Sequence, residues 1–517
     1  MAQFDTQHPL RAALEVDYRQ MQDTAAGERA VKAAGSLYLP PTAGMIADGL
    51  EIVAQAGRWN TAPAKSYFAY LQRAVFRHYV SDTIDTLHGM LHCQPAVISV
   101  PDRMAPMVAR CGASGESAEA VLQAITRALL HMGRCGGLLD APTGADASKA
   151  LPYVALYDAP SILNWDDGEP MDGMQKARMV TLDESAYVRR DGAIDQARVR
   201  RVRIAATAAV ASVIDSSGMR LSVDPGAYVN GLWSEASDTA EAAWTAPEIA
   251  GKTCPEVPFV FCNAGDLFAD PGPIPLLGLS NIALSLYRAE ADHRQSLHMQ
   301  GQDTLVIIGA TTPPPGGEPA GTSARRIGAG AAIELNARGD AKFIGVSANG
   351  LDAQWRAIEE DRKACEAYTA RMLEGTGNDY ASGRAISLRT GQRSASLKSI
   401  AENAARALEE LLRMAARWLG EDESKVSVKP NVNFVVDAGA TKSVLELTQA
   451  KISGMAISQR TIHDYARRMG VTTLTFEEEK AAIESEPPPV IPAPKVAAGA
   501  AGAKGGSTGG APVKRGA

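Results

Sequence analysis

Residues 257–309 read VPFVFCNAGDLFADPGPIPLLGLSNIALSLYRAEADHRQSLHMQGQDTLVIIG, and their order of strand, long helix and strand decides how the rest of the chain is read. Residues 257–261 are a short apolar run between Pro255 and Gly265, which suits a buried strand better than a helix. A Pro/Gly stretch stops that strand. Over residues 274–299, Leu276, Leu279, Ala283 and Leu286 recur at helical spacing, and Arg288, Glu290, Asp292 and Arg294 crowd the second half. Such a helix is about 35 to 40 Å long, at about 1.5 Å per residue. Residues 302–309, centred on Leu305 to Ile308, read as the second strand.

The 517 residues exceed what one simple core holds and imply two or three structural units. Composition is that of a globular protein: 45% hydrophobic, 21% charged, with 47 Gly and 29 Pro that imply many turns. No run reaches membrane-spanning length, and Asp5, Glu15, Asp17 and Asp23 make the start too polar for a signal peptide. A soluble protein without a membrane partner is expected. The six cysteines form no C-x-x-C pair, so buried free thiols are expected rather than disulfides or zinc. A net charge of −7 opposes wide phosphate neutralisation.

Outward from the opening stretch, the pattern alternates helices and strands. Residues 64–91 carry Tyr67, Leu71, Val75 and Tyr79, then Ile84, Leu87 and Leu91, on apolar faces, which predicts one long helix or two abutting ones. A helix is expected over 116–131 and a strand entrance at 133–140, GRCGGLLD. In 151–165, LPYVALYDAPSILNW, Tyr153 to Tyr157 is a β-type run broken by Pro160. Residues 174–223 are rich in Val, Ile and Thr and predict a β-meander turning at Ser216-Ser217-Gly218, followed by an exposed polar loop over 231–252. The run TTPPPGGEPAGTS after Gly309 packs neither as helix nor as central strand. Helices are expected over 351–374, with Trp355, Ile358, Cys365, Tyr368 and Met372 in one stripe, and over 394–419, capped by Ser394. Residues 376–393 between them read as a glycine-rich loop. A short strand at 433–436 and short helices at 443–451 and 458–469 follow, and 486–517 read as a disordered tail.

The opening stretch resembles the portal proteins of tailed bacteriophages, in which it closes the clip and forms a stem helix. The likeness continues in order along residues 60–480. The run LPYVALYDAPSILNW resembles the portal pattern PYLALYAPENILNW, LHGML partly matches GLVGM, and residues 327–343 follow IGPGTAL…GGDAKYLE. SIAEN stands where portal chains have SIADN, and GMAISQRTIHDYARRMGV is similar to their closing G-(L/I)-IS-x-x-T element. The strands in RIAATAAVASVIDSSG lack the aromatic residues usual in the family.

The resemblance implies an α+β subunit of wing, stem and clip, with a long stem helix, a β-rich middle segment and C-terminal helices. On that basis 1–165 is a mainly helical N-terminal wing part, 166–262 a β-rich wing and clip segment, and 263–300 the stem helix segment. Residues 301–420 return to the wing with a strand, loops and two long helices; 421–485 are a crown-like strand and helices. The implied assembly is a ring, usually dodecameric, at one capsid vertex of the virion, made in the host cytoplasm. Its implied partners are its own copies, the major capsid protein, the terminase packaging motor, a head-tail adaptor and double-stranded DNA.

The residues themselves offer no catalytic constellation. GASGE around Ser114 misplaces the second glycine of a nucleophile elbow, and no P-loop is present. His88 and His92 lie one helical turn apart beside Cys93, but spacing supplies no third ligand, so a metal is not expected. The acids of NWDDGEPMD sit among turn residues. No cofactor or enzymatic activity is expected. An α+β cytosolic enzyme with an unrecognised site, or another virion structural component, is the alternative. Two arginine-bearing loops are the candidates to face DNA in a ring: 311–330 with Arg325 and Arg326, and 376–393 with Arg384 and Arg389. The charged second half of the 274–299 helix suggests that its flanks take neighbouring subunits.

Overall fold

The computed structural model describes residues 6–47, 62–142, 151–166, 177–189, 196–215, 222–235, 242–249, 251–300, 304–308, 340–344, 349–373, 383–432, 440–468, 471–472 and 474–485. It is α+β and divides into two compact units, Met1–Val435 and Val436–Ala517.

The core of the first unit is built on a three-stranded antiparallel sheet in the order Phe259–Asn263, Arg134–Asp140, Tyr153–Asp158. All seven residues of the middle strand are buried, because helices cover it. One is the Gly383–Leu419 helix, whose Leu397, Ile400, Ala404, Leu408, Leu411 and Ala415 are all buried as their spacing predicts. The close approach depends on Gly137: a Cβ there would lie 2.5 Å from Leu411 Cδ1. The Ala118–Met132 helix is started by the Ser117 hydroxyl, which accepts from Ala120 N at 3.2 Å. In the 64–91 region the structure has two helices, Ala62–Arg73 and Tyr79–Leu91.

A five-stranded antiparallel sheet runs in the order Ala243–Thr245, Tyr228–Ser234, Arg201–Thr207, Met179–Asp183, Ile162–Asp166. Two expectations fail here. The meander is interrupted by the helix Ala208–Ile214: the Thr207 hydroxyl caps Val210 N, and Ala208 and Ala211 are buried. Among the described residues of 231–252 the chain forms strands, at Tyr228–Ser234, Ala243–Thr245, Glu248–Ile249 and Lys252–Thr253, rather than one exposed loop. Gly231 lies in a strand under the Trp244 ring, and buried Trp244 donates through Nε1 to Asp215 at 3.1 Å. A lone tryptophan in an alanine-rich run thereby anchors the edge of the sheet.

The central helix spans Leu277–Gln300, close to expectation, and Thr304–Ile308 follows as a strand paired antiparallel with Asp340–Ile344. The 394–419 helix begins earlier than read: Gly383–Leu419 is one helix, so Ser394 lies inside it and residues 383–393 are not loop. Arginine, leucine and alanine in that stretch favour helix, and Gly391 in its interior costs only about 1 kcal/mol against alanine. The N-terminal part is helical but also carries the strands Val97–Ser99, Arg134–Asp140, Tyr153–Asp158 and Ile162–Asp166. Five cysteines are buried thiols, and Cys93 is exposed.

The second unit contains the helices Ala440–Ile452, Gln459–Arg468 and Phe476–Ser485. Ser458 caps the middle one, accepting from Thr461 N at 3.0 Å. Among its described residues Ala466 is buried, whereas Ile452, Met455, Val471, Leu474 and Ile483 are exposed. The strand expected at 433–436 and the tail at 486–517 fall outside the described residues.

Candidate functional site

The central helix organises the first unit. Leu276, which immediately precedes it, and Leu279, Ala283 and Leu286 within it are all buried. Their cover comes from the same chain: the helix packs against Asn349–Leu373, Ala62–Arg73, Tyr79–Leu91 and Glu15–Ala26.

Its charged half is also engaged internally. Glu290 is 2% exposed, and its Oε1 accepts from Arg362 at 2.7 and 3.1 Å and from Arg77 at 2.9 Å. Arg294, one turn on, approaches its other oxygen at 4.0 Å. The hydrogen bond to Glu290 is the main reason the Arg77 pKa is raised. Asp292 accepts from the Tyr70 hydroxyl at 2.5 Å; burial first, and this bond second, push the phenol well above its ordinary value. Arg288 donates to the Tyr38 carbonyl at 2.8 Å, and His293 lies 5.6 Å from the Trp355 ring, over which Arg362 also stacks at 4.8 Å. Of these charges Glu290 is buried within its own chain, while Arg288, Asp292 and Arg294 are exposed. They join a helix to a linker, a paired helix and the N-terminal segment of their own chain.

Sequence reasoning missed a second buried charge. Arg134 opens the middle strand of the small sheet at 2% exposure, and its three guanidinium nitrogens have no hydrogen-bond partner. It is held by faces instead: Trp165 at 4.4 Å and Phe261 at 5.0 Å. Desolvation lowers its pKa to about 10, which leaves it cationic at neutral pH. His8 stacks on the same Trp165 ring at 3.8 Å. The apolar run at 257–261 was legible as a buried strand; that an arginine would lie against Phe261 and Trp165 was not.

The remaining sequence candidates resolve as structural groups where they are described. His88 and His92 lie 4.9 Å apart; burial, then the neighbouring His88, lowers His92 to about 4. Glu116 bonds Ser114 N at 2.9 Å and so ties the GASGE turn. Among the described residues no group of three or more His, Cys, Asp or Glu is placed to hold a metal, and no helix is long and apolar enough to cross a membrane. A hollow lined by Gly251, Lys252, Thr253, Pro255, Arg417 and Trp418 is open to solvent, and its arginine is already held by Glu256, Glu410 and Glu423. Of the DNA-facing candidates, Arg325 and Arg326 lie outside the described residues, while Arg384 and Arg389 fall on the first turns of the Gly383–Leu419 helix rather than in a loop.

A family described as "Domain of unknown function (DUF4055)" matches residues 275–419, from the start of the central helix to the end of the long helix on the small sheet. No curated protein matches the chain. Among solved structures, the chain is similar at 13% identity and a TM-score of 0.37 to one from the virion of a native gene transfer agent particle, with 83% of this chain and 98% of that one covered. It is similar at 14% identity and a TM-score of 0.34 to one from the neck of an empty gene transfer agent particle computed with C6 symmetry, with 83% and 98% covered. A third, from the neck of the native particle computed with C12 symmetry, has 12% identity and a TM-score of 0.35, with 83% and 97% covered.

Proposed function

We propose that the chain is a portal subunit of a tailed-phage-like virion: a ring of identical copies at one capsid vertex, forming the channel for double-stranded DNA and the point of head-tail attachment. The observation that carries this reading is the order of separated portal-like segments along residues 60–480. Those in the first unit share one core: LPYVALYDAPSILNW supplies strands of both main sheets, the 257–309 stretch supplies a sheet edge and the central helix, and SIAEN lies on the helix above the small sheet. The protein acts as a structural component without catalysis; the packaging motor is a separate terminase, and the capsid protein and a head-tail adaptor are its neighbours. A dodecamer is the copy number the resemblance implies. Arg325, Arg326, Arg384 and Arg389 are proposed to touch passing phosphates weakly, since tight contacts would stall transport.

The test is the position of the chain in assembled particles. Capsids built with a tagged copy carry label at a single vertex if it is a portal; label spread over the whole shell contradicts the reading.

A further inference from the structure

The small sheet places two of the six cysteines directly opposite one another. In the register of its edge and middle strands Cys262 pairs with Cys135, and both are buried, at 1% and 2% exposure. Leu139 N donates to the Pro258 carbonyl at 2.8 Å and Ala264 N to the Gly133 carbonyl at 2.9 Å, at the two ends of the same pairing. Hydrogen-bonded pairs alternate along an antiparallel ladder, so Cys262 and Cys135 form one of them, with Cα atoms about 5.5 Å apart and side chains on one face. The two thiols are in hydrogen-bonding contact, and Cys262 Sγ also donates to the Asn403 carbonyl at 3.6 Å. Among the described residues none of the other four cysteines stands opposite another in a strand pairing.

We propose that Cys135 and Cys262 are a redox pair: thiols in the reducing compartment where the chain is made, and a disulfide once the chain meets an oxidising medium. A Cα separation of about 5.5 Å lies within the range of about 4.4 to 6.8 Å that disulfides span. The Cβ atoms of directly opposed residues are about 4.5 to 5.5 Å apart, against about 3.8 Å in a disulfide, so the two strands draw together by about 1 Å as the bond forms. The oxidant is a low-molecular-weight disulfide. One protein thiolate attacks it and expels a small thiolate; the second protein thiolate then attacks the protein sulfur of the mixed disulfide and expels the other. Two protein thiols are oxidised, the small disulfide is reduced to two small thiols, and the protons of the protein thiols end on these. Burial first, and then the neighbouring thiol, push Cys262 well above the ordinary thiol range, so exchange is slow and proceeds through local opening of the edge strand.

The bond changes how the β-rich part of the chain is held. The strands of the five-stranded sheet all fall within residues 162–245, between the two cysteines. With the thiols reduced, both ends of that segment are fixed to the small sheet by hydrogen bonds and packing alone. The disulfide closes the segment into a covalent loop, and a cross-link constrains the unfolded chain most when the loop is long. A particle that leaves its host passes from a reducing to an oxidising medium. That passage rests on the portal reading; the chemistry of the pair does not.

The experiment uses the purified, fully reduced full-length chain. It is incubated with excess 2-hydroxyethyl disulfide, quenched with iodoacetamide in denaturant and digested with chymotrypsin, which cuts between Cys254 and Cys262 at Phe259 and Phe261. Mass spectrometry is expected to find the Cys135 and Cys262 peptides joined, while Cys111 and Cys254 are recovered alkylated. Exposed Cys93 takes up mercaptoethanol and reports that the oxidant was active. The joined chain melts about 5 °C above the reduced chain, and dithiothreitol reverses the rise. Cys135→Ser and Cys262→Ser each abolish both the joined peptides and the rise, whereas Cys111→Ser keeps them; each variant is compared with its own reduced form, and the wild-type peptides decide alone where a variant does not fold. The proposal is overturned if both thiols are recovered alkylated after Cys93 has reacted fully, if either joins a different cysteine, or if the joined chain melts no higher than the reduced one. A chain that closes this bond but forms no rings upholds the redox pair and counts against the portal reading alone.

Discussion

Glu290 and Arg134 are both charged, both 2% exposed and both in the first unit, yet they are compensated in opposite ways. Glu290 is met by cations from two other segments: Arg77 lies between two helices, and Arg362 lies on the helix packed alongside. Arg134 is met by no anion within hydrogen-bonding distance and is held by ring faces. The difference teaches what each charge does. An ion-pair centre has a required geometry and fixes how three helical segments lie against one another. A cation between ring faces tolerates small shifts and acts mainly as a large, flat filler with an unrecovered desolvation cost.

Substitutions separate these two roles. The largest effect is expected of Ala283→Pro, which breaks the helix that carries Glu290 inside the core: it costs about 3 kcal/mol for the backbone alone, with further loss of packing. Thermal and urea unfolding should show a chain that is unfolded or nearly so; a normal melting temperature would contradict the buried placement of this helix. Next is Glu290→Gln, expected to cost about 3 kcal/mol, at the low end for breaking a buried ion pair because Arg77 and Arg294 can turn to solvent. Arg134→Met is expected to change stability by no more than about 1 kcal/mol, and in the stabilising direction if desolvation outweighs the ring contacts. If Arg134→Met proves as costly as Glu290→Gln, the two centres are not different in kind.

The smallest effect is a pH dependence. His92 has a folded pKa of about 4 against an ordinary value of 6.5, so the unfolded chain binds more protons between those values. Its contribution to stability is fully present above about pH 6.5 and is lost progressively as pH falls toward about 4. His92→Gln should therefore show a shallower loss of melting temperature than wild type across that window. Parallel curves would mean that His92 is as exposed to protons when folded as when unfolded.

Much of this was legible in the sequence, for identifiable reasons. The central helix and the helix on the small sheet announce themselves by apolar spacing, and Leu276, Leu279, Ala283 and Leu286 are buried as that spacing requires. What periodicity does not carry is the destination of polar residues. Arg288, Glu290, Asp292 and Arg294 read as a face for neighbouring subunits, and only tertiary packing reveals that Tyr38, Tyr70, Arg77 and Arg362 bond to Arg288, Asp292 and Glu290. The Ala208–Ile214 helix was hidden by valine and isoleucine, whose strand preference yields to the Thr207 cap and an alanine face.

Glu290 finds its cations within a single chain, whereas Arg134 finds only ring faces. The most direct measurement of the central claim is negative-stain imaging of the purified full-length chain. The portal reading predicts annular particles of uniform size with a central hole, whereas compact monomers that persist at high protein concentration would contradict it.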